Sequence, residues 1–206
     1  MDDVRGLKEL QLDALREVAN IGAGHAATAL SQMTNRTIMI SVPEVNVRPL
    51  EEVSDMLGSA EDVVAAVLMQ MMGDLTGRTL LLFPEASAKI LCDILLRRPP
   101  GTTQAFGPME QSGIKEVGNI LVSAYMTALS DFMGMMLVPS VPSLVVDLSG
   151  AVLTTTYLNF GHDRDYVFCV ETAFSVGGAE MPLAGHFLLM PDVPSLRAIF
   201  DAIRLG

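Results

Sequence analysis

Hydrophobic positions in the first 48 residues recur first with the period of an α-helix and then with that of a β-strand. Residues 7–33 carry the helical spacing, which predicts one long helix. The β-branched stretch 37–48 alternates like a strand, and Pro43 interrupts it. The rest of the first half predicts a loop or short helix, a hairpin with the turn GDLTG and a short amphipathic helix: 49–60, 63–72 with 78–83, and 86–97.

The second half repeats this order of elements. Residues 109–132 predict a long helix, and 135–147 predict extended chain broken by prolines. Three strands and a closing helix are expected after it: 152–160, 166–176, 183–190 and 194–204. A helix, then strands, then a helix, twice over, predicts an α+β fold.

The two repeats are expected to form one domain over residues 1–206. They span about 7–97 and 106–206, and residues 98–108, rich in turn formers, predict the linker between them. One half has few strands and would bury little surface alone. We therefore expect a pseudo-two-fold duplication, with the long helices packed on a continuous antiparallel sheet.

A polar pattern occurs twice in the chain at a constant offset of 99 residues. It consists of Asp or Ser, then Glu, then Asn, and later Pro: Asp13, Glu17, Asn20 and Pro43 in the first copy, and Ser112, Glu116, Asn119 and Pro142 in the second. The neighbours repeat too, because REVANI at 16–21 becomes KEVGNI at 115–120. The chain should therefore hold two copies of any site that the pattern builds. The prolines border strands, and we assign them no chemical role.

Helix geometry places the first three residues of each copy on one narrow face, here called the polar stripe. At about 100° per residue, Glu17 lies roughly 40° to one side of Asp13 and Asn20 about 20° to the other. The opposite face is apolar in both helices and should enter the core: Leu15, Val18, Ala19, Gly22 and Ala26, and Ile114, Val117, Gly118 and Leu121.

The polar stripe continues in small residues that would let another protein approach the helix closely: Gly24, Ala27 and Ser31, and Ser123 and Ser130. A solvated helix face without function is the alternative. Duplication alone could also explain the shared residues. Glu and Asn are unchanged between the copies, however, whereas parts of the core differ, since Ala19 corresponds to Gly118 and Gly22 to Leu121. This contrast favours a docking surface.

Composition and charge restrict the classes of function. The chain has 206 residues, of which half are hydrophobic and 18% are charged, so an ordered globular protein is expected. A net charge of −11 argues against binding nucleic acid or anionic membranes. The chain has no long apolar run or secretion signal, which predicts a cytoplasmic protein. Cys92 and Cys169 are expected to be reduced core thiols, and the 14 Met residues to fill the core or form a binding surface.

Familiar catalytic motifs are missing from the sequence. It contains no phosphate-binding loop, no HExxH and no GxSxG, and His25, His162 and His186 lack metal-ligand spacing. An autonomous metallohydrolase would therefore have no ligand set. An exposed Glu can instead pair with a partner's Lys, and an exposed Asn can hold a water. Such a pair suits a labile acyl phosphate coordinated to a metal in the partner, because each tenfold acceleration needs only about 1.4 kcal/mol.

The doubled pattern resembles that of the CheC chemotaxis phosphatases, whose relatives include CheX and FliY, and the resemblance covers essentially the whole chain. It implies hydrolysis of the aspartyl phosphate on a CheY-type response regulator. By likeness, Glu17 and Glu116 would pair with the regulator's active-site Lys, and Asn20 and Asn119 would orient the attacking water. Asp13 and Ser112 would be supporting contacts. The regulator would supply the Mg²⁺, and no cofactor of the chain's own is expected.

The resemblance also implies a second partner, the receptor deamidase CheD. Residues 143–153 resemble the segment that contributes to this contact, with Asp147 as the residue of interest. Two sites in 206 residues favour CheC over the shorter, dimeric CheX, so a monomer is expected. The alternative function is a non-catalytic adaptor that binds CheD or the flagellar switch.

Overall fold

Each half of the chain begins with a long helix and two short strands. The computed structural model describes residues 9–49, 53, 59–160, 166–176 and 183–205. Its elements in chain order are α1 (Glu9–Thr34), β1 (Ile38–Ile40), β2 (Glu44–Pro49), β3 (Val63–Gly73), β4 (Gly77–Pro84), α2 (Glu85–Leu95), α3 (Pro108–Met133), β5 (Leu137–Pro139), β6 (Ser143–Leu148), α4 (Ser149–Phe160), β7 (Tyr166–Val176), β8 (Leu183–Pro191) and α5 (Val193–Leu205).

The described strands form one antiparallel sheet, as predicted. Its order is β1-β7-β8-β4-β3-β5, while β2 also pairs with β7 and β6 also pairs with β3. The first half therefore places β1 and β2 on a strand of the second half, and the second half places β5 and β6 on a strand of the first. This exchange interlocks the halves, and each outer strand depends on its partner half for backbone hydrogen bonds.

The 99-residue offset of the sequence reappears in the structure. It relates α1 to α3, β1 to β5 and β2 to β6 at both ends of each element. Pro43 and Pro142 each lie between two short strands, as the sequence predicted. Both long helices end at a residue in the left-handed region, Asn35 with φ of 54° and Gly134 with φ of 64°, which stops the helix and turns the chain towards the sheet.

The expected strand at 152–160 is wrong, because this segment is helix α4. Among residues 149–156 of α4, whose burial the structure describes, Ser149, Val152, Leu153 and Thr156 are buried, a spacing that fits one helical face and not an alternating strand. This face covers the sheet on the side away from the long helices, where Val152 packs with strand residues. Val53, which lies 99 positions before Val152, is also helical, and it is fully buried in the same hydrophobic cluster as Val152. Residues 50–52 and 54–58 of the predicted loop or short helix lie outside the described residues.

The core has one layer on each side of the sheet. All nine residues assigned to the apolar faces of the long helices are buried. α1 and α3 approach closely at Gly22, where an added Cβ would come within 2.7 Å of Tyr125 Cδ1 and 3.0 Å of Tyr125 Cα. Gly22 therefore permits a helix contact that a larger residue would force apart. Met71 and Met126 lie in the core, as one reading of the Met content predicted, whereas Met39 is exposed.

The predicted linker, 98–108, is held to α2 by a buried carboxylate. Asp93 is 1% exposed and accepts hydrogen bonds from Thr102 N at 3.0 Å, Thr103 N at 2.9 Å and Thr103 Oγ1 at 2.6 Å. At the start of α3, Arg98 Nη1 donates to Glu110 Oε1 at 2.5 Å. These bonds fix the path of the chain between α2 and α3, while the division of the chain into two repeats stays a prediction.

The state of the two cysteines and the apolar length of the helices can be compared with the sequence-based predictions. Cys92 and Cys169 are free and buried, which confirms the expected core thiols. Burial, followed by the nearby charges of Glu110 and Asp93, raises the pKa of the Cys92 thiol to about 12. None of the described helices is long and apolar enough to cross a lipid bilayer.

Candidate functional site

The structure places both polar stripes on the outer surface of the long helices. Asp13, Glu17 and Asn20 of α1 are exposed. In α3, Ser112 and Glu116 are exposed as well, while Asn119 is half-buried. The opposite side of each helix is anchored in the core, so the backbone that carries the stripe is held rigidly while its side chains remain accessible.

The Glu and Asn side chains of both stripes have in common that the described part of the protein does not engage them. The side chains of Glu17, Asn20, Glu116 and Asn119 make no hydrogen bond or ion pair with any other described residue. A carboxylate can accept several hydrogen bonds, and a carboxamide can donate and accept at once. The two stripes therefore present the same pair of functional groups at the same helical spacing, twice in one molecule.

The first position of the pattern differs between the stripes in its contacts. Asp13 Oδ1 accepts a hydrogen bond from Arg16 Nη1 at 2.7 Å, which forms an exposed ion pair across one helical turn. Ser112 replaces Asp13 in the second copy and carries no charge. The two sites are therefore alike in Glu and Asn and unlike in the electrostatics beside them.

The small residues that extend the stripe have two different roles. Gly24 is exposed, and an added Cβ there would meet no atom within 4 Å, so the helix surface is open beside Asn20. Ser31 instead fastens α1 to β1, because its Oγ accepts from Ile38 N at 2.9 Å and donates to Ala27 O at 2.7 Å. Ser130 Oγ likewise donates to a backbone carbonyl beyond its helix, at Met135. The two hydroxyls thus hold the end of each long helix to the chain that follows it, while the docking surface stays a prediction.

The histidines do not assemble into a metal site in the part of the chain that the structure describes. His25 is exposed on α1, and His186 is half-buried on β8, where burial lowers the pKa of its imidazole although Glu171 faces it from β7. His162 lies outside the described residues. No group of three His, Cys, Asp or Glu side chains suited to a metal ion occurs among the described residues.

Asp147 lies on β6, 28 residues after Asn119 of the second stripe. It is exposed, and its Oδ1 accepts a hydrogen bond from Leu148 N at 2.7 Å. β6 pairs with β3, and among the described strands it has no neighbour on its other edge. Val145, Val146 and Leu148 are exposed along it, so this edge combines free backbone groups with apolar side chains.

Sequence reasoning overlooked two features of the site region. It did not single out the cations Arg16 and Lys115, although the 99-residue offset relates them. The sequence also predicted a strand at residues 152–160, which belong to helix α4. Applying the same offset to Val53, in a stretch where a short helix was one expectation, would have pointed to a helix at Val152.

Comparison with known proteins agrees with the doubled pattern. The model of the CheC-like family matches residues 10–47 and 109–146, two segments at the same 99-residue offset. The CheY-P phosphatase CheC of Bacillus subtilis (strain 168) is 35% identical over 205 residues, which cover 98% of this chain and 98% of that protein. The chain belongs to the CheC-like family.

Two further relatives show how widely the CheC-like fold is shared. The flagellar motor switch phosphatase FliY of Bacillus subtilis is 28% identical over 129 residues, or 62% of this chain and 33% of that protein. The crystal structure of Thermotoga maritima FliY superimposes with a TM-score of 0.80 at 19% identity, covering 97% of this chain and 98% of that one. At that identity the superposition establishes the fold alone.

Proposed function

We propose that this protein hydrolyses the aspartyl phosphate of a phosphorylated CheY-type response regulator. One observation carries the proposal: two Glu–Asn pairs stand at the same helical spacing in a chain that is 35% identical to the CheY-P phosphatase CheC. Neither pair is bonded to another described residue, and all four side chains are exposed except the half-buried Asn119. The alternative is an unused solvated face in which duplication alone accounts for the shared residues, and the Asn variants described below distinguish the two.

The Glu of each stripe acts in docking. Glu17 or Glu116 forms a charge-assisted hydrogen bond with the regulator's active-site Lys, which brings the helix against the acyl phosphate. Exclusion of water as the surfaces meet strengthens the attraction between the two charges, and the cost of desolvating them offsets part of that gain. Because the helix is anchored on its other face, docking orders few of the chain's own groups and its entropic cost is small.

The Asn of each stripe acts in the chemical step. Its carboxamide holds one water in line with the P–O bond of the aspartyl phosphate. The water oxygen attacks phosphorus, the bond to the aspartyl oxygen breaks, and the products are the free carboxylate and inorganic phosphate, with one water proton passing to solvent or phosphate. Correct placement of one water contributes several kcal/mol. Mg²⁺ held by the regulator supplies charge neutralisation at the phosphoryl oxygens.

The test removes the Asn side chains and follows the lifetime of the phosphorylated regulator. A ³²P-labelled CheY-type regulator decays in the presence of wild-type protein, Asn20→Ala, Asn119→Ala or the double variant. The double variant should lose acceleration by about 100-fold, which corresponds to roughly 2.7 kcal/mol, and each single variant should keep one working stripe.

A matched control uses the exposed residues Gln32 and Asp131, which occupy equivalent positions off the stripes. They lie about 60° around the helix from Glu17 and Glu116 respectively. Gln32→Ala with Asp131→Ala should leave the decay rate unchanged. Full acceleration by the double Asn variant, with an unaltered circular dichroism spectrum, would refute the proposed catalytic role.

The second candidate function is an adaptor that binds CheD or the flagellar switch. The exposed apolar edge of β6 around Asp147 favours it, as does the sequence relation to a flagellar motor switch phosphatase. Binding through that edge should survive loss of Asn20 and Asn119 and should weaken in Asp147→Arg. A pull-down with purified CheD and switch proteins, run on both variants, separates the adaptor from the phosphatase role; the roles can coexist.

A further inference from the structure

A cation occupies the same place beside each Asn of the two polar stripes. Arg16 precedes Asn20 by four residues, and Lys115 precedes Asn119 by four. Residues at this spacing are neighbours on a helix surface, with Cβ atoms about 6 Å apart. The cation lies about 40° around the helix from the Asn, on the side away from the Glu. A group docked against the Asn is therefore within reach of the cation as well.

The residue three positions before each cation differs between the stripes, and so does the ion pairing of the cation. In the first stripe, Asp13 holds the Arg16 guanidinium at 2.7 Å, with side-chain exposures of 59% and 47%. In the second stripe, the equivalent residue is Ser112, and Lys115 has no carboxylate partner among the described residues. Lys115 is half-buried, as expected when the aliphatic stem lies along the helix and the ammonium group reaches outward.

We propose that Lys115 is a substrate-binding residue of the second stripe, where its ammonium group contacts the phosphoryl group of the docked regulator, and that Asp13 withholds Arg16 from this role in the first stripe. The proposal rests on the proposed function and assigns the variable first position of the pattern a task. A phosphoryl group carries about two negative charges near neutral pH, so a free ammonium group stabilises the docked complex. A guanidinium paired with Asp13 attracts the phosphoryl group less, because the adjacent carboxylate repels the same group.

The competing explanation is that Asp13 and Arg16 form an ordinary surface pair of α1 with no part in docking. Pairs of this kind contribute little to stability. Under that explanation, neutralising Arg16 would have the same effect whether position 13 is Asp or Ser, and neutralising Lys115 would have no effect on binding. The two explanations therefore differ in a double-mutant cycle.

The experiment isolates each stripe in the full chain. Asn20→Ala together with Glu17→Ala leaves only the second stripe able to dock and act, and Asn119→Ala together with Glu116→Ala leaves only the first; these are called the Asn20→Ala and Asn119→Ala backgrounds. In the Asn20→Ala background, Lys115→Met should raise KM for the ³²P-labelled regulator about five-fold with little change in kcat. The rise should shrink at 0.5 M salt, because screening weakens the contact. Met has nearly the helix propensity of Lys, so α3 should stay intact.

The reciprocal experiment tests Arg16 in the first stripe. In the Asn119→Ala background, Arg16→Met alone should change KM less than two-fold. After Asp13→Ser, the same substitution should raise KM about five-fold, because Arg16 has become available. In the Asn20→Ala background, Ser112→Asp should make KM insensitive to Lys115→Met. The proposal would be overturned if Arg16→Met changed KM equally with Asp and with Ser at position 13. It would also be overturned if Lys115→Met left KM unchanged.

A binding measurement separates this proposal from the proposed function. The regulator is activated with beryllofluoride, which imitates the acyl phosphate without being hydrolysed, and its Kd is measured by titration calorimetry. If the wild-type protein fails to accelerate decay but Kd follows the pattern expected for KM, the phosphatase function is wrong and the role of Lys115 stands. If Kd is unaffected by Lys115→Met and by the Asp13–Arg16 cycle, the role of Lys115 is wrong even when hydrolysis proceeds.

Discussion

Two glycines of α1, only two residues apart, should respond in opposite ways to the same added methyl group. Gly22 lies in the contact between α1 and α3, where a Cβ would stand 2.7 Å from Tyr125 Cδ1 and 3.0 Å from Tyr125 Cα. Gly24 is exposed, and a Cβ there would meet no atom within 4 Å. Gly22→Ala and Gly24→Ala are therefore a matched pair that differs in tertiary contact and not in helix position.

The magnitudes follow from two terms. Replacing Gly by Ala inside a helix stabilises it by about 1 kcal/mol, and this gain is common to both variants. Carbon atoms in contact prefer about 3.5 to 4 Å. Since one of the close atoms at Gly22 belongs to the backbone of α3, a rotamer change cannot relieve the overlap. Overpacking of this kind costs about 1 to 3 kcal/mol, so Gly24→Ala should exceed Gly22→Ala in stability by that amount.

Urea unfolding followed by circular dichroism at 222 nm measures the difference. The m-values should agree between the variants, so that the midpoints report stability directly. Gly24→Ala should unfold at higher urea than the wild-type protein, and Gly22→Ala at or below it. If Gly22→Ala were as stable as Gly24→Ala, the close packing of the two long helices would be refuted.

Three further predictions concern the buried groups near the linker. Asp93→Ala should lower the free energy of unfolding by about 3 kcal/mol, because it leaves the buried amide and hydroxyl of Thr103 without their acceptor; urea titration measures this. Cys92, whose pKa is raised to about 12, should resist alkylation by iodoacetamide at pH 8 until the protein unfolds, as peptide mass spectrometry would report. The backbone N–H of Glu110 and the Arg98 guanidinium lower the pKa of the Glu110 carboxyl from its ordinary 4.5. The stability it contributes is present above pH 4.5 and lost as the pH falls through the lower folded-state value, so Glu110→Gln should flatten the acid limb of the stability profile.

Each of these predictions has a control or a contrary outcome. The exposed Asp131 serves as the surface comparison for Asp93, and Asp131→Ala should change stability by less than about 0.5 kcal/mol. Rapid alkylation of Cys92 in the native protein would show that it is accessible. An acid limb that is unchanged by Glu110→Gln would exclude its pairing with Arg98.

Much of the fold follows from local pattern, and the errors have a physical cause. The long helices were predictable because their apolar spacing keeps one period over many residues, and the hairpin was predictable because two apolar runs flank the turn GDLTG. The segment after β6 was misread because Thr154, Thr155 and Thr156 favour a strand by propensity. Burial of Val152 and Leu153 over the second face of the sheet outweighs that preference, and the sheet face belongs to residues distant in sequence.

The candidate site was predictable as a face but not as a set of contacts. Helical periodicity alone places Glu17 and Asn20 together, and the structure leaves both exposed. The hydrogen bond from Ile38 N to Ser31 Oγ could not be predicted, because it depends on the path of β1 in the tertiary structure. Whether these residues catalyse hydrolysis stays a prediction until the Asn variants are measured.

The sequence by itself determined the long helices and the doubled polar pattern that gives each helix its stripe, because these properties depend on spacing within a few turns of one helix. Only the tertiary structure decided that β1 and β2 pair with β7, that β5 and β6 pair with β3, and that a helix covers the other face of the sheet. Strand partners and the burial of a face depend on contacts between residues far apart in the chain, and no local pattern specifies them.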